Sequence, residues 1–415
     1  MKIAILGFGK EGKSALKFLR AAPRYKGAEI VILDQKQGGE YLAHLKDFDL
    51  VIKSPGVPFV LPEIAHARKS GTLFTSATAL FFDHADGLII GITGTKGKGT
   101  TAVLLYRMLK AAKKDAYLAG NIGRPMLDIL PKLKTNSIAV LELSSFQLER
   151  LMFSPRVAVV LDVFPDHLDA HASYEEYVAA KKGIVEHQGK HDAVFFFPGN
   201  KDAEAIAQHS KGKKIQISPE DFTLFSPEDL KIPGTHNYKN AVMAASVALY
   251  MGCPAAVVRK AALLFQGLPF RLQRIRSAGG ILFYNDSAAT NPHAAAAAIA
   301  SFTMPTILIM GGRDKGFSYD ILPKTLMESS VRHIIAIGEN ASLIEQACGM
   351  TGIKVTAMQT LNQAVQAAWR YALKQQKKNE EWNILFSPGA ASFDMFRDYK
   401  ERGREFNKIV KGLKI

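Results

Sequence analysis

The chain has little cysteine and no hydrophobic run long enough to cross a bilayer. Its 415 residues include only Cys253 and Cys348, which lie far apart and lack metal-ligand spacing. We therefore expect two buried free thiols. No apolar stretch approaches the roughly 18 to 20 residues that a membrane helix needs. The apolar residues 1–6 lack a signal-peptide pattern and predict a first strand. These absences favour a cytoplasmic protein with no membrane partner.

Acidic charge is in the minority, since the formal net charge is +15. The basic residues occur in short scattered groups, and aromatic residues do not alternate with them as a base-stacking surface would require. We therefore predict no nucleic-acid partner. A solvated surface explains these charges, and a basic field would also gather small polyanionic substrates.

Alternating strands and helices organise the whole chain, and its length predicts two to four domains. Short strands are expected at 3–6, 30–33 and 50–52, then at 88–92, 138–143 and 157–161. Five more, at 281–284, 305–310, 331–337, 352–356 and 382–386, alternate with helical stretches. The pattern predicts three α/β domains. We place a Rossmann-like domain at 1–77, a P-loop ATPase-like parallel sheet at 78–268 and a doubly wound Rossmann-like domain at 269–415.

The strongest local motif is a glycine-rich loop between a strand and a helix. Its glycines let backbone N–H groups surround phosphate oxygens, and the helix N-terminus adds positive potential. Lys98 would reach the β- and γ-phosphates of ATP, and a following hydroxyl could meet the metal. A plain flexible turn is the alternative. The motif comprises Gly94, Thr95, Lys96, Gly97, Lys98, Gly99, Thr100 and Thr101.

Two further motifs follow expected strands. Glu142 ends a strand beside the phosphate loop and is placed to hold Mg²⁺, although a charge at a helix N-terminus is the alternative. Asp166 and His167 follow the next strand, and His167 is a candidate second metal ligand. Lys181 lies on the helical stretch after them.

Polar loops also recur later in the chain. Asn237 and Asn240 open an alanine-rich helix and could contact adenine, or Asn237 could cap that helix. The loops at 285–287, 311–315 and 387–392 each follow a strand, so they should converge at one edge of a parallel sheet. Near the start, the glycines of residues 7–12 with Asp34 match a dinucleotide-binding fingerprint, which also accepts other nucleotide diphosphates.

Together these motifs resemble the Mur ligase family over essentially the whole chain. The phosphate loop, ELSSFQLE at 142–149, PDHLD at 165–169 and the HNxxN pattern at 236–240 carry the general likeness. NDSxATN at 285–291, GLP at 267–269 with Arg271, and SPGAASF at 387–393 resemble the branch that adds D-glutamate to UDP-N-acetylmuramoyl-L-alanine. The resemblance implies an ATP-dependent ligase that forms an acyl phosphate and uses two Mg²⁺ ions. It further implies a monomer whose partners are small molecules.

The resemblance also implies roles for individual residues. Lys98, Glu142, His167 and Lys181 would be catalytic, and the metal ligands would be Thr100, Glu142, His167 and a CO₂-derived carbamate on Lys181. The ATP contacts would be residues 94–100 with Asn237, Asn240, Arg271 and Asp286. The UDP substrate would be held by Gly9, Lys10, Gln35, Lys36, Asn121 and His167. Glutamate would be held by Thr290, Lys315, Ser392, Phe393 and Tyr399.

Three positions depart from the family pattern. Lys96 and Gly99 stand where the family usually has Asn and Ser or Thr, and Ala288 stands where the D-glutamate branch commonly has lysine. The phosphate loop therefore resembles that of folylpolyglutamate synthases, the nearest alternative, but these would not begin with a separate UDP-type domain. An L-glutamate-adding variant also remains open. An NAD-dependent oxidoreductase would explain only residues 7–12, and a nucleotide sensor would bind ATP without turnover.

Overall fold

The computed structural model describes residues 1–38, 40–166, 171, 173–378 and 380–413. The chain divides into two compact units. The first comprises Met1–Phe222 and Asn240–Ala262, and the second Thr223–Lys239 and Leu263–Ile415.

The first unit begins with a small parallel sheet of order β2-β1-β3-β4. All residues of β1 after Lys2 are buried, as expected for a strand whose sheet has helices on both faces. Ser76 caps the N-terminus of the last helix by accepting from the Ala79 N–H. The elements are β1 (Lys2–Leu6), α1 (Lys10–Ala21), β2 (Glu29–Leu33), β3 (Leu50–Lys53), α2 (Pro62–Lys69), β4 (Leu73–Thr75) and α3 (Ala77–His84).

A second, entirely parallel sheet follows in the same unit, with order β10-β9-β8-β5-β7-β6. Its central strands are almost continuously apolar, which fits burial on both faces. The strands are β5 (Leu88–Thr93), β6 (Ala116–Gly120), β7 (Ile138–Glu142), β8 (Val157–Val160), β9 (Ala193–Phe196) and β10 (Lys213–Gln216). The helices are α4 (Lys98–Ala111), α5 (Ser145–Leu148), α6 (Tyr174–Lys182), α7 (Lys201–Gln208), α8 (Thr235–Tyr250), whose N-terminal residues up to Lys239 fall in the second unit, and α9 (Ala255–Leu263).

The second unit contains a sheet of order β11-β12-β16-β13-β14-β15. All its pairings are parallel except β11 with β12. Buried residues cover both faces of this sheet. The strands are β11 (Gln273–Ala278), β12 (Ile281–Asn285), β13 (Thr306–Gly311), β14 (Val331–Ile337), β15 (Val355–Met358) and β16 (Trp382–Phe386). The helices are α10 (Pro292–Ile299), α11 (Ile321–Met327), α12 (Ala341–Cys348), α13 (Leu361–Gln375) and α14 (Tyr399–Gly412).

The predicted α/β class is confirmed. Each strand expected from an apolar run is present, although the one expected at 352–356 lies at Val355–Met358. The sequence did not predict β4, β6, β9, β10 or β11. Of these, β11 forms a hairpin with β12 through Gly279 and Gly280. Both glycines have positive φ, 53° and 77°, as a tight two-residue hairpin turn requires. The domain limits at 77 and 268 stay predictions.

Cys253 and Cys348 are buried free thiols, as expected. Within the residues that the structure describes, no helix has the length and apolar character needed to cross a membrane.

The turn from β1 into α1 leaves no room for a side chain at Gly12. A Cβ atom there would lie 2.2 Å from the carbonyl oxygen of Gly7, whereas a Cβ at Gly9 would meet nothing within 4 Å. We expect Gly12→Ala to lower the free energy of unfolding by about 1–3 kcal/mol, because the turn must open to accept the methyl group. Gly9→Ala is the matched control, and equal thermal midpoints for the two variants would contradict the prediction.

Candidate active site

The glycine loop joins β5 to α4 at the carboxyl edge of the second sheet, where the strand order reverses direction. Such a switch point is the usual ligand crevice of a parallel sheet. Gly97 has a φ of 85°, and a Cβ atom there would lie 2.2 Å from Asn240 Oδ1. A Cβ at Gly94 would lie 2.7 Å from Leu161 Cβ. Glycine is therefore required at both positions, and the loop presents its backbone closely to a ligand.

Two lysine side chains meet inside this loop. Lys98 Nζ donates to the carbonyl oxygens of Gly94, at 3.1 Å, and Thr95, at 2.9 Å. Lys181 Nζ donates to the same Gly94 oxygen at 2.9 Å and is 1% exposed. Burial, assisted by the positive charge of Lys98, lowers the pKa of Lys181 from 10.5 to about 7. A large share of Lys181 is therefore an uncharged amine at neutral pH.

Tyr177 holds Lys181 from the other side, which sequence reasoning missed. The Lys181 Nζ lies 4.3 Å from the centre of the Tyr177 ring, and the Tyr177 hydroxyl lies 2.9 Å from Thr95 Oγ1. Thr95 Oγ1 also accepts from the backbone N–H of Phe164 at 2.9 Å. The spacing of Tyr177 and Lys181, four residues apart on one helix, was the available signal.

Glu142 ends β7 next to the glycine loop, as expected, and is 7% exposed. Its Oε1 accepts a hydrogen bond of 3.3 Å from Asn121 Nδ2. These two residues were assigned to metal and UDP substrate separately, and the structure brings them into contact. A capping box between Ser144 and Gln147 starts α5 immediately afterwards, so it fixes the direction of the chain beyond Glu142.

His167 lies outside the described residues, so its predicted roles in metal and UDP binding stay untested. His171 is described and buried. Its ring stacks on Phe146 with centroids 4.7 Å apart, and its Nε2 lies 2.9 Å from Ser145 Oγ. Both partners belong to the segment that follows Glu142, so His171 secures that segment.

The described donors suit magnesium. The Thr100 hydroxyl and the Glu142 carboxylate are hard oxygen ligands of the kind that Mg²⁺ prefers. Among the described residues, no group of three or more His, Cys, Asp or Glu side chains could hold a metal ion. A magnesium site here would therefore need Lys181 as a carbamate, His167, substrate oxygens or water to complete it.

The first glycine loop, after β1, is closed by Asp34 at the end of β2. Asp34 accepts from the backbone N–H of Phe8 at 2.6 Å and of Lys36 at 3.1 Å. The proposed UDP contacts around it are exposed to solvent, namely Gly9, Lys10, Gln35 and Lys36. The hydrogen bonds from these two backbone N–H groups to the Asp34 carboxylate therefore shape a loop whose outer residues are open to a ligand.

The two asparagines of α8 have different surroundings. Asn240 contacts the glycine loop, because its Oδ1 accepts from Thr101 Oγ1 at 3.4 Å. Asn237 lies in the second unit and donates to the Pro233 carbonyl at 2.7 Å.

In the second unit, three loops leave neighbouring strands at one edge of the sheet, as predicted. They are the β12 loop (286–290), the β13 loop (311–316) and the β16 loop (387–393). Asp286 is buried in the first of these and accepts from Ser387 Oγ at 2.8 Å and from the Leu272 N–H at 3.1 Å. Burial raises the pKa of Asp286 to about 7, although both hydrogen bonds oppose the shift.

The predicted glutamate contacts lie on these loops and on α14. Lys315 Nζ is 5.2 Å from the centre of the Phe393 ring, and Phe393 is 61% exposed. Ser392 is buried, whereas Thr290 and Tyr399 are partly exposed and so is Ala288. Arg271 is exposed before β11. Lys315 and Phe393 thus form one solvent-exposed cationic patch. The sequence did not identify Arg402, which contacts two of the loops.

Comparisons with known proteins place two parts of the chain in described families. Residues 92–224 match the family model described as the Mur ligase middle domain, and residues 270–378 match the Mur ligase, glutamate ligase domain. The first match contains the glycine loop, Glu142 and Lys181. The second contains the β12 and β13 loops.

Curated relatives match over nearly the entire chain. The UDP-N-acetylmuramoylalanine–D-glutamate ligase of Acetivibrio thermocellus is 35% identical, over 99% of this chain and 91% of the relative. That of Aquifex aeolicus is 34% identical, over 99% and 98%. The crystal structure of the UDP-N-acetylmuramate–alanine ligase MurC of Thermotoga maritima has a TM-score of 0.58 at 18% identity, covering 100% of both chains, and supports the fold.

The buried amine of Lys181 makes stability depend on pH. Below about pH 7 this side chain is charged in both the folded and the unfolded chain, and burying the charge costs stability; above 10.5 it is neutral in both. Its penalty therefore diminishes as pH rises from about 7 to 10.5. We expect Lys181→Met to raise the melting temperature more at pH 6.5 than at pH 10, in bicarbonate-free buffer.

Lys182→Met, the neighbouring and less buried position, serves as the control for this experiment. A melting-temperature difference for Lys181→Met that did not vary with pH, or that varied equally in the control, would contradict the assignment of a neutral buried amine.

Proposed function

The chain belongs to the Mur ligase family, and we propose that it joins D-glutamate to UDP-N-acetylmuramoyl-L-alanine at the expense of ATP. This reaction supplies a peptidoglycan precursor. The observation that carries the proposal is the meeting of Lys98 and Lys181 at one carbonyl oxygen of the glycine loop. This loop follows β5, whose neighbour β7 ends at Glu142. Relatives named for this activity match across 99% of the chain, which supports the same substrate pair.

The chemistry requires negatively charged reactants to approach one another. A carboxylate oxygen of the alanine residue attacks the γ-phosphorus of ATP, the bond to the β,γ-bridging oxygen breaks, and ADP leaves. The glutamate amine then attacks the acyl carbon, loses a proton, and displaces orthophosphate to give the amide. The Lys98 ammonium, held at the glycine loop by the Gly94 and Thr95 carbonyl oxygens, would offset the charge of the phosphate oxygens. Backbone N–H groups at the N-terminus of α4 would complete the cradle, whereas the Thr95 N–H already donates to the Asp162 carbonyl oxygen at 2.9 Å.

Thr100, Glu142, His167 and a modified Lys181 are the proposed ligands of two Mg²⁺ ions. When bound, Mg²⁺ neutralises phosphate oxygens and polarises the phosphorus. Thr100 and Glu142 provide suitable oxygen donors, while Asn121 orients Glu142 through its 3.3 Å hydrogen bond.

We further propose that Lys181 carries a carbamate. An uncharged amine can form a bond from Nζ to the carbon of CO₂ and release a proton, and burial favours the uncharged amine. The product replaces a cation, which faces Lys98 unfavourably, with an anion that pairs with Lys98 and can hold magnesium. Burial next to a second ammonium is otherwise a costly arrangement.

The proposed substrate contacts come from the resemblance to the Mur ligase family. Gly9, Lys10, Gln35 and Lys36 surround the first glycine loop and would hold UDP. Asn121 and His167 would contact the muramoyl-alanine portion. Asn237, Asn240, Arg271 and Asp286 would contact the nucleotide of ATP. Thr290, Lys315, Ser392, Phe393 and Tyr399 would hold glutamate, with Lys315 supplying the cation that Ala288 lacks.

The first parallel sheet weighs against the nearest alternative. A folylpolyglutamate synthase has no expected use for a separate UDP-type unit, yet β1 to β4 form a sheet whose first loop is closed by Asp34. An oxidoreductase would leave the glycine loop after β5 and its two lysines without a role. We propose a cytoplasmic, monomeric enzyme that acts on small molecules.

Orthophosphate release from the purified chain tests the function. With UDP-N-acetylmuramoyl-L-alanine, ATP, Mg²⁺ and D-glutamate we expect turnover, and with L-glutamate much less, because the relatives that match nearly the entire chain are named D-glutamate ligases. A folate acceptor with L-glutamate is the control for the alternative ligase. Absence of phosphate with the nucleotide sugar and either isomer would refute the proposal, and preference for L-glutamate would refute the assigned enantiomer.

The role of Lys181 can be tested separately. We expect Lys181→Ala to lower kcat by about two orders of magnitude or more, as loss of a charge-stabilising group does. Added formate, acetate or propionate should restore part of the rate by occupying the place of the carbamate. Lys182→Ala is the control and should retain activity. Full activity of Lys181→Ala without any added carboxylate would exclude the carbamate.

A further inference from the structure

The second unit contains a completely buried arginine that no role above uses. Arg402 lies in the first turn of α14 and is 0% exposed. Burial lowers its pKa to about 10, and Asp394 partly opposes the shift, so the guanidinium remains charged at neutral pH. Among the described residues it has no carboxylate partner at ion-pair distance, and its hydrogen-bond acceptors are a hydroxyl and backbone carbonyls.

These acceptors belong to two of the loops at the sheet edge. On the β12 loop, Arg402 Nε donates to Ser287 Oγ at 3.0 Å and Nη2 donates to the Ser287 carbonyl at 2.9 Å. On the β16 loop, Nη2 donates to the Ala390 carbonyl at 3.0 Å and Nη1 to the Ala391 carbonyl at 3.1 Å. One planar group therefore joins two loops that are 100 residues apart in the chain.

The third loop meets the same point. The Ala391 carbonyl also accepts from the backbone N–H of Arg313 at 2.9 Å, and Arg313 belongs to the β13 loop that carries Lys315. A Cβ atom at Gly312 would lie 2.3 Å from that carbonyl oxygen and 3.1 Å from Arg402 Nη1. Ser287 Oγ, in turn, donates to the Tyr399 carbonyl at 2.8 Å.

We infer that Arg402 is a positioning residue for the amino-acid site, because its guanidinium sets the spacing of the three loops that carry Thr290, Lys315 and Ser392. The inference rests on the proposed function of those loops. Arg402 touches no substrate in this scheme. It acts through Ser287, Ala390 and Ala391, and a lysine cannot replace it since an ammonium lacks the fixed fork of donors.

Variants at Arg402 test this inference. We expect folded Arg402→Lys and Arg402→Met to raise the KM for D-glutamate about ten- to a hundredfold, since small displacements of positioning groups have effects of this size. The KM for the nucleotide sugar, whose proposed contacts lie in the first unit, should change by less than about twofold.

Arg276 offers a matched control in the same unit. Its Nη1 donates to three backbone carbonyls, those of Val410 at 3.0 Å, Lys411 at 3.3 Å and Leu413 at 2.9 Å, and these lie at the opposite end of α14. Arg276→Met should lower stability without changing the KM for D-glutamate. An equal rise of the KM in Arg276→Met would show that general loosening of the unit, and not the hydrogen bonds of Arg402, sets the affinity for D-glutamate.

Two further measurements keep the inference testable where Arg402 variants fold poorly or turnover is absent. Ser287→Ala removes the Oγ acceptor but leaves the backbone, and should raise the KM for D-glutamate in the same direction by a smaller factor. Amide hydrogen exchange should quicken at 286–290, 311–316 and 387–393 in Arg402→Lys but not in Arg276→Met.

The outcomes separate the inference from the function. Wild-type turnover with an unchanged KM for D-glutamate in folded Arg402→Lys and Ser287→Ala would overturn the inference alone. Unchanged exchange in the three loops would also overturn it. Absence of wild-type phosphate release would refute the proposed ligase activity, while the exchange result would still decide whether Arg402 holds the loops.

Discussion

The carbonyl oxygen of Gly94 accepts hydrogen bonds from the Nζ atoms of Lys98 and Lys181, and the chemistry of the first unit depends on this arrangement. When both amines are protonated, two cations converge on one oxygen in a largely buried place and repel each other. The repulsion is relieved when one amine loses its proton or when anionic groups enter the loop. A site built in this way binds polyphosphate readily and favours conversion of one amine into an anion. The glycines at 94 and 97 make the convergence possible, because side chains there would collide with Leu161 and Asn240.

The second unit also contains a buried basic side chain, but it keeps its positive charge. Its buried cation, Arg402, has four hydrogen bonds to oxygen atoms, so its charge is distributed over carbonyl dipoles and a hydroxyl. A guanidinium satisfied in this way is a fixed part of the scaffold and not a reactive group. Asp286 differs from Arg402, because burial brings its pKa into the neutral range. Its pKa rises to about 7 in spite of hydrogen bonds from the Ser387 hydroxyl and the Leu272 N–H. The buried guanidinium of Arg402 thus sets the spacing of the loops, whereas the exposed Lys315 remains available to a ligand.

Sequence patterns predicted much of this architecture. Apolar runs located most of the parallel strands but not β4, β6, β9 or β10. Glycine spacing located the loops after β1 and β5, because both signals are local. The position of Glu142 at a strand end was equally local. Arg402 and Tyr177 were missed, because each also depends on a partner that is distant in sequence, Ser287 for Arg402 and Thr95 for Tyr177. The hairpin of β11 was missed because its alternating, partly exposed residues give a weak signal. The individual substrate contacts came from family resemblance and stay predictions, including His167, which lies outside the described residues.

The contact between Gly97 and Asn240 restricts how this sequence can diverge. The two positions are 143 residues apart, yet the space that the absent Cβ would fill belongs to the asparagine amide, 2.2 Å away. The residue at each position thus limits which residues fit at the other. A larger residue at 97 becomes tolerable only after the residue at 240 has become smaller. Since Asn240 also accepts from Thr101, that prior step would itself disturb the helix that follows the loop. Substitution at this pair is therefore confined to compensated double changes, and Gly97 is far less free to vary than the exposed Lys96 beside it.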